Sequence, residues 1–390
     1  MQTQRVVAFL IFSTALLIGA DLSIATQSSA AGTSVSLSAI LTPGSNSVAS
    51  LQFDLQYDSA GMSLISLPGA SARSAGKTIY SVGLSANQTR FLLAGVNQNP
   101  IPQGDAIDFI VNLSSNAPSG SHPLTISNFT CSDVLGNAVP TTFTSGGVNV
   151  TGTSGSRTIA SEVLNAASLT SGPVSPGEIL TIFGAGIGPA IAAQPTSSAT
   201  DTVLAETSIL FDGNTAPLLY AGPNQINAIV PFEVSGQNTT NMIIESGGEL
   251  VAGFPLDVAT VAPAIFTLNA NGSGPGAILN QDLSLNTPSN PAARGSVVVL
   301  YATGAGTMNP PVKDGQVIES ANFNTNLPVS VMIGGVSAIV VYAGGAPGLV
   351  AGVLQVNCIV PHSIQPGASV AVILTVGSMS SPPGVELAVL

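Results

Sequence analysis

The residues that could do chemistry in this chain are few. Its two histidines, His122 and His362, are the side chains whose ordinary titration falls near neutral pH. Neither has a His, Cys or carboxylate beside it at ligand spacing, so the sequence offers no zinc site. No Gly-x-Ser-x-Gly elbow occurs, which removes the usual signature of an α/β-hydrolase. A Ser-His-Asp triad is set by geometry and not by spacing, and no partner for either histidine can be read from the sequence. Asp54 and Asp58, and Asp105 with Asp108, are paired carboxylates of the kind a glycosidase uses, but turn and strand-edge positions account for them better. No Asp-x-Asp-x-Asp-Gly run is present, so calcium has only scattered loop oxygens to bind. Gly184-Ala185-Gly186-Ile187-Gly188 has the glycine density of a phosphate loop. Pro189 and an Ala/Pro/Ser-rich stretch follow instead of the helix that such a loop must open, so a turn is the better reading. The expectation is a non-catalytic protein with no catalytic, cofactor-binding or metal residue.

Binding is the remaining class. Trp is absent and Tyr numbers five, which is a poor supply for stacking on sugars. Tyr57 falls on an apolar strand face and reads as core, while Tyr80 is the weak candidate for a ligand contact. Tyr220 and Tyr342 stand at equivalent places in a repeat and read as packing or corner residues.

The elements that must position these residues are strands. The 390 residues are 45% hydrophobic and only 7% charged, with 42 Gly and 27 Pro. The apolar residues come in short runs broken by Gly, Pro, Asn and Ser, the pattern of many strands joined by turns. Ala49 to Tyr57 alternates with period two and puts Leu51, Phe53, Leu55 and Tyr57 on one face. Later runs such as Ala106 to Leu113 and His122 to Ile126 also read as strands.

The N-terminus differs. Arg5 precedes an apolar run from Val6 to Ala20, and Ser23-Ile24-Ala25 supplies a small-residue cleavage context, so residues 1–30 read as a signal peptide. No second long apolar run follows, so the expected mature protein is secreted or surface-associated with no membrane span. The formal charge is −12, and no basic footprint exists for nucleic acid. Cys131 and Cys358 fall in different expected domains and read as free, buried small hydrophobes, the alternative being a disulfide between packed domains.

A repeat organises the rest. Gln225-Ile226-Asn227-Ala228-Ile229-Val230-Pro231 is echoed 130 residues later by Gln355-Val356-Asn357-Cys358-Ile359-Val360-Pro361. Gly177 and Gly295 open matching strands 118 apart, and Leu218 to Gly222 matches Val340 to Gly344 at 122. The jump from 122 to 130 places eight extra residues within Gly344 to Leu354. Alternation places Ile226, Ala228 and Val230 inward, with Val356, Cys358 and Val360 at the same places. Asp212-Gly213 and Gly334-Gly335 are hairpin turns. Thr151 to Ser156 is Gly/Ser/Thr-rich and reads as a flexible joint.

Within the first block, Phe53-Asp54-Leu55-Gln56-Tyr57-Asp58, Ala117-Pro118-Ser119-Gly120, Ser132-Asp133 and Gly136-Asn137-Ala138-Val139-Pro140 resemble cohesin-like domains, jelly-roll relatives of carbohydrate-binding modules. Ser59 replaces the proline that usually follows the Tyr-Asp pair. The repeat resembles Ig-like IPT/TIG modules. Asn165-Ala166-Ala167-Ser168, Ser175-Pro176-Gly177-Glu178, Pro288 to Gly295 and Ala346 to Gly352 are similar to a C-terminal region of secreted Acidobacteria proteins of the Solibacter type. The expected architecture is all-β: a signal peptide (1–30), a cohesin-like jelly roll (33–151), a linker (152–160), a first Ig-like module (161–268), and a connection with a second Ig-like module (269–390). The resemblance implies surface adhesion or recognition, with polysaccharide or matrix bound through the cohesin-like module, or a cell-surface protein captured by it while the Ig-like pair acts as spacer.

Overall fold

The computed structural model describes residues 19–114, 116–153, 162–196 and 201–390. The first domain is built from β1 (Ala20–Ile24), β2 (Thr26–Ala31), β3 (Ser34–Thr42), β4 (Val48–Gln56), β5 (Met62–Pro68), helix α1 (Ala70–Ser74), β6 (Thr78–Ser85), β7 (Gln88–Ala94), β8 (Gly104–Leu113), β9 (Gly120–Asp133), β10 (Ala138–Val139), β11 (Thr141–Thr144) and β12 (Gly146–Thr153). Two sheets face each other, in the orders β11-β1-β3-β8-β5 and β2-β12-β9-β4-β7-β6, with β10 beside β9. Leu51, Phe53 and Leu55 fill the space between them, and Tyr57 packs half-buried against the same core. The Phe91 ring centres this packing, 5.5 Å from Phe53 and 5.4 Å from Phe109.

The domain starts earlier than residue 33. Leu22 and Ile24 are buried in its core, and β1 pairs with both β3 and β11. Residues 20–30, read from sequence as part of the signal peptide, thus stand in the sheets of the first domain, and Ser23-Ile24-Ala25 lies at the end of a core strand. The remainder of the expected signal peptide, residues 1–18, lies outside the described residues. At the other end β12 extends to Thr153, and the rest of the expected linker, 154–160, also lies outside them.

The second domain contains β13 (Glu162–Asn165), β14 (Ile179–Phe183), β15 (Thr207–Phe211), β16 (Asn214–Thr215), β17 (Leu218–Ala221), β18 (Gln225–Ile229), a 3-10 turn (Phe232–Val234), β19 (Thr239–Ser246) and β20 (Glu249–Asp257). Sheets β13-β14-β18-β17 and β16-β15-β19-β20 enclose Leu180, Ile182, Phe211, Met242 and the inward row Ile226, Ala228, Val230.

The third domain repeats the core of this plan, and one strand runs differently. Val297–Thr303, Leu354–Ile359 and Val336–Gly345 answer β14, β18 and β16–β17, but Val336–Gly345 is unbroken. It pairs with Leu354–Ile359 on one side and Val329–Ile333 on the other, so the two halves form one continuous sheet. In the second domain the equivalent strand is cut at Ala216-Pro217, because proline has no N–H to give the ladder; Ile339 stands in its place in the third. The same β-bulge recurs in both copies, before Tyr220 and before Tyr342. Cys358 occupies the place of Ala228 in the third core, Cys131 lies in the first, and both thiols are unpaired.

The boundary between the repeats lies before residue 268. Ala264–Ile265 pairs with Val297–Thr303, and Ile265 and Ile278 are buried in the third core. The segment after Val258 thus belongs to the later domain because its apolar residues are buried there.

Candidate functional site

The two outer faces of the first domain meet different fates. On β8, Ile107, Phe109 and Val111 point into the sandwich, leaving Asp108, Ile110 and Asn112 on the far side. There Ile110 joins Ile65 and Leu67 of β5 in a cluster with Ile243, Leu210 and Leu250 of the second domain. Ile243 is fully buried, and burying a side chain of that size stabilises by roughly 2 kcal/mol. Ser36 Oγ donates to Leu250 O at 3.1 Å and Asn112 Nδ2 to Gly253 O at 3.1 Å. One sheet of the first domain is thus sealed by β15, β19 and β20 of the second, whatever the composition of the joint between them.

The opposite face, over β9-β4-β7-β6, is open. Register sets its side chains in rows: Thr130, Gln52, Leu92 and Tyr80 across one, Asp54, Arg90 and Val82 across the next. Tyr80 and Val82 are each 56% exposed, and Leu92 and Leu84 are also exposed. Tyr80, the residue singled out from sequence, therefore belongs to an apolar strip on two neighbouring strands. A shallow depression of about 310 Å³ lined by Ser50, Gln52, Leu92, Thr130 and Ser132 continues it.

An ion pair sits inside this face. Arg90 Nε and Nη2 donate to the two carboxylate oxygens of Asp54 at 2.6 and 2.8 Å, and Asn128 Nδ2 adds a bond of 2.8 Å. The arginine, then burial opposing it, then Asn128 set the carboxyl below its usual range. Asn128 reaches it from a left-handed backbone (φ 52°) at the bulge of β9, a conformation that asparagine tolerates. Asp54 is therefore a fixed structural anion and not a free acid. Its partner lies 36 residues along the chain, so the pair depends on hairpin register and carries no local sequence signal.

The other candidates resolve into structure. His122 is buried; its Nε2–H donates to Pro118 O at 2.7 Å, and Nδ1 lies 3.5 Å from Asp58 Oδ2. The ring nitrogen that would activate a nucleophile is thus taken by a carbonyl, a pairing that sequence spacing did not show. Asp108 accepts from Ser38 Oγ at 2.8 Å, and burial pushes its carboxyl up. In the glycine-rich turn, Gly184 N and Ile187 N donate to Asn224 O and Pro223 O, so those amides are not free for a phosphate. Tyr342 OH donates to Gly345 O at 2.7 Å, the corner role expected of it. Among the described residues no three His, Cys, Asp or Glu gather as metal ligands, and no helix is long and apolar enough to cross a membrane.

Comparison with known proteins bears on the same domain. Residues 20–150 match the family model described as Cohesin domain, whose first residue is also the first of β1. Among solved structures, the chain is similar to the sixth cohesin of scaffoldin B of Acetivibrio cellulolyticus in complex with a Cel5 dockerin (23% identity, 34% of this chain and 99% of that one, TM-score 0.32). It is also similar to a non-cellulosomal cohesin of the archaeon Archaeoglobus fulgidus (15% identity, 34% and 91%, TM-score 0.30). A third is the cohesin–dockerin complex Coh-OlpA–Doc918 of Clostridium thermocellum (15% identity, 34% and 99%, TM-score 0.31). No curated protein matches the chain. Residues 20–150 are a cohesin domain, carried at the head of two repeated β-domains.

Proposed function

We propose that this chain is a non-catalytic recognition protein whose cohesin domain captures a protein partner on the outer face of β9-β4-β7-β6. The observation that carries the reading is the asymmetry of the domain: one sheet is sealed by the second domain and the other presents Tyr80, Val82 and Leu92 to solvent. The partner is a dockerin-bearing protein, the kind of molecule bound in the cohesin complexes named above. A contiguous apolar strip beside an internally neutralised ion pair suits a protein surface better than a sugar, because two of its three apolar side chains are aliphatic and cannot stack on a pyranose. The second and third domains, read as Ig-like IPT/TIG modules of the Solibacter type, hold the cohesin domain away from its point of attachment. The N-terminal apolar run exports the protein, and it works outside the cell.

Titration of the full chain with a panel of dockerin-bearing proteins tests this. Saturable binding that is lost in Leu92→Asp supports it, and no binding across the panel together with retention on polysaccharide would overturn it in favour of the glycan or matrix reading.

A further inference from the structure

The Gln-x-Asn stretch that marks the repeat also places polar side chains on an outer sheet face. Leu180, Ile182, Ile226 and Ala228 point into the second core, so Thr181 and Phe183 of β14 and Gln225 and Asn227 of β18 face away from it. Register sets Thr181 beside Asn227 and Phe183 beside Gln225. These four side chains line a groove of about 540 Å³, together with Leu219 of β17 and Phe266 of the third domain. Beside the groove, the loop 346–353 holds the extra residues of the repeat and lays Val350 and Val353 against Ile179, Ile229 and Leu219. Phe266 packs against the same cluster, so the joint between the domains fixes the wall that this ring supplies.

Three polar groups open into this groove. Gln225 Nε2 donates to Asn227 Oδ1 at 2.9 Å, which leaves Gln225 Oε1 as an acceptor and Asn227 Nδ2 as a donor with no protein partner among the described residues. Thr181 is only 4% exposed, and its hydroxyl likewise has no protein partner among them. No buried side-chain polar atom among the described residues lacks a partner, so all three atoms reach solvent, and the groove is where they reach it. The third domain repeats the amide pair, with Gln355 Nε2 donating to Asn357 Oδ1 at 2.9 Å, but Val299 stands in the place of Thr181 and Tyr301 in that of Phe183.

We propose that the groove binds a neutral saccharide, with a sugar ring against Phe183 and Phe266 and its hydroxyls bonded to Thr181 Oγ1, Gln225 Oε1 and Asn227 Nδ2. No charged residue lines the groove, so an ionised ligand would lose its hydration without a counter-charge. Sugar hydroxyls both donate and accept, which matches a carbonyl, an amino group and a hydroxyl held side by side. The apolar C–H face of a pyranose suits an aromatic ring, and two rings line the groove. Its volume falls in the range of about 300–1,000 Å³ of small-ligand sites. A peptide suits it less, because β14 and β18 are each paired on both sides and leave no strand edge for a backbone to join.

Native affinity electrophoresis of the full chain at neutral pH, in gels containing glucomannan, xyloglucan or dextran, tests this. Retardation relative to a gel without polysaccharide is expected in at least one of the three. Thr181→Val keeps the shape and removes the hydroxyl, and Asn227→Ala removes the amide donor; each is expected to raise the dissociation constant about tenfold. Asn357→Ala, which removes the corresponding amide of the third domain, and Leu92→Asp on the cohesin face should be retarded as the unmodified chain is. No retardation in any of the gels, or retardation unchanged in both Thr181→Val and Asn227→Ala, overturns the proposal. Asn227 is half-buried on an outer face, so its variant keeps the fold and decides the matter even if Thr181→Val does not fold. Capture of a dockerin-bearing protein is measured apart from this, so failure of the groove leaves the cohesin reading standing.

Discussion

The Ile179 amide donates to Oγ1 of Thr303 at 2.9 Å across the boundary between the second and third domains. Thr303 is fully buried, and its hydroxyl donates in turn to Gly352 O at 2.8 Å. One hydroxyl therefore satisfies an amide of the second domain and a carbonyl of the loop that clamps it. Thr303→Val keeps the shape and removes both bonds. A buried polar group left unpaired costs about 1–3 kcal/mol, so a loss of roughly 3 kcal/mol is expected in denaturant titration. Thr303→Ser should keep most of the stability. Equal unfolding midpoints for Thr303→Val and the unmodified chain would show that the clamp does not depend on this hydroxyl.

Leu92 and Tyr80 are cross-strand partners on the open face of the cohesin domain. Both are exposed, so removing either should leave the thermal midpoint nearly unchanged. If the face is the recognition surface, Tyr80→Ala should weaken partner binding roughly tenfold or more, since aromatic anchors dominate such interfaces. Leu92→Asp should abolish it by placing a charge in an apolar contact. Calorimetric titration measures both; unaltered affinity in the two variants moves the recognition surface elsewhere.

The extent to which these features were legible follows from what a strand pattern encodes. Alternation reports one buried face, so it found Leu51, Phe53 and Leu55, and it put Cys358 where Ala228 stands. It is silent about a second covered face. Ile110 and Ile243 read as excess apolar residues among inward-pointing neighbours, and that excess was the available sign that both sides are covered. Leu22 and Ile24 are as apolar as the run before them, so composition does not separate the N-terminal run from β1. The Asp54–Arg90 pair was invisible because only hairpin register brings the two strands together. The eight-residue insertion was found by counting, but its use as a clamp depends on packing between domains, which no spacing reveals.

Glu178 gives the chain a stability that depends on pH in an unusual direction for a carboxyl. It is buried, with Asn165 Nδ2 donating to Oε1 at 2.8 Å and Ser175 N to Oε2 at 2.7 Å. Burial outweighs these bonds and pushes the carboxyl up from 4.5 to about 8. The folded state therefore holds a proton that the unfolded state releases. Its stabilising effect is complete below about pH 4.5 and is lost progressively as pH rises through about 8, by roughly 5 kcal/mol at about 1.4 kcal/mol per unit. Glu178→Gln supplies a neutral side chain of the same shape and should remove this slope. Denaturation at a series of pH values from 5 to 9 measures it, and a slope that persists in the glutamine variant would assign the effect to other groups.

Gly253 sets how closely the second domain approaches the cohesin domain. A Cβ there would stand 2.8 Å from Ile110 Cδ1 and 3.0 Å from Ile65 Cδ1. Its carbonyl also accepts the Asn112 side chain, so apolar and polar contacts depend on the same residue. Alanine meets only the flexible tips of two isoleucines, and a small shift should admit it. A leucine has no such room and must drive the two sheets apart, exposing Ile65, Ile110 and Ile243. The two sandwich cores do not pass through this contact, so Gly253→Leu is expected to keep both domains folded while separating them. Small-angle scattering should report a larger radius of gyration for Gly253→Leu and an unchanged one for Gly253→Ala. The open face over β9-β4-β7-β6 lies on the far side of the first domain, so partner binding should be the same in both variants. Binding lost in Gly253→Leu with the domains still folded would mean that recognition uses the sealed face or the junction itself.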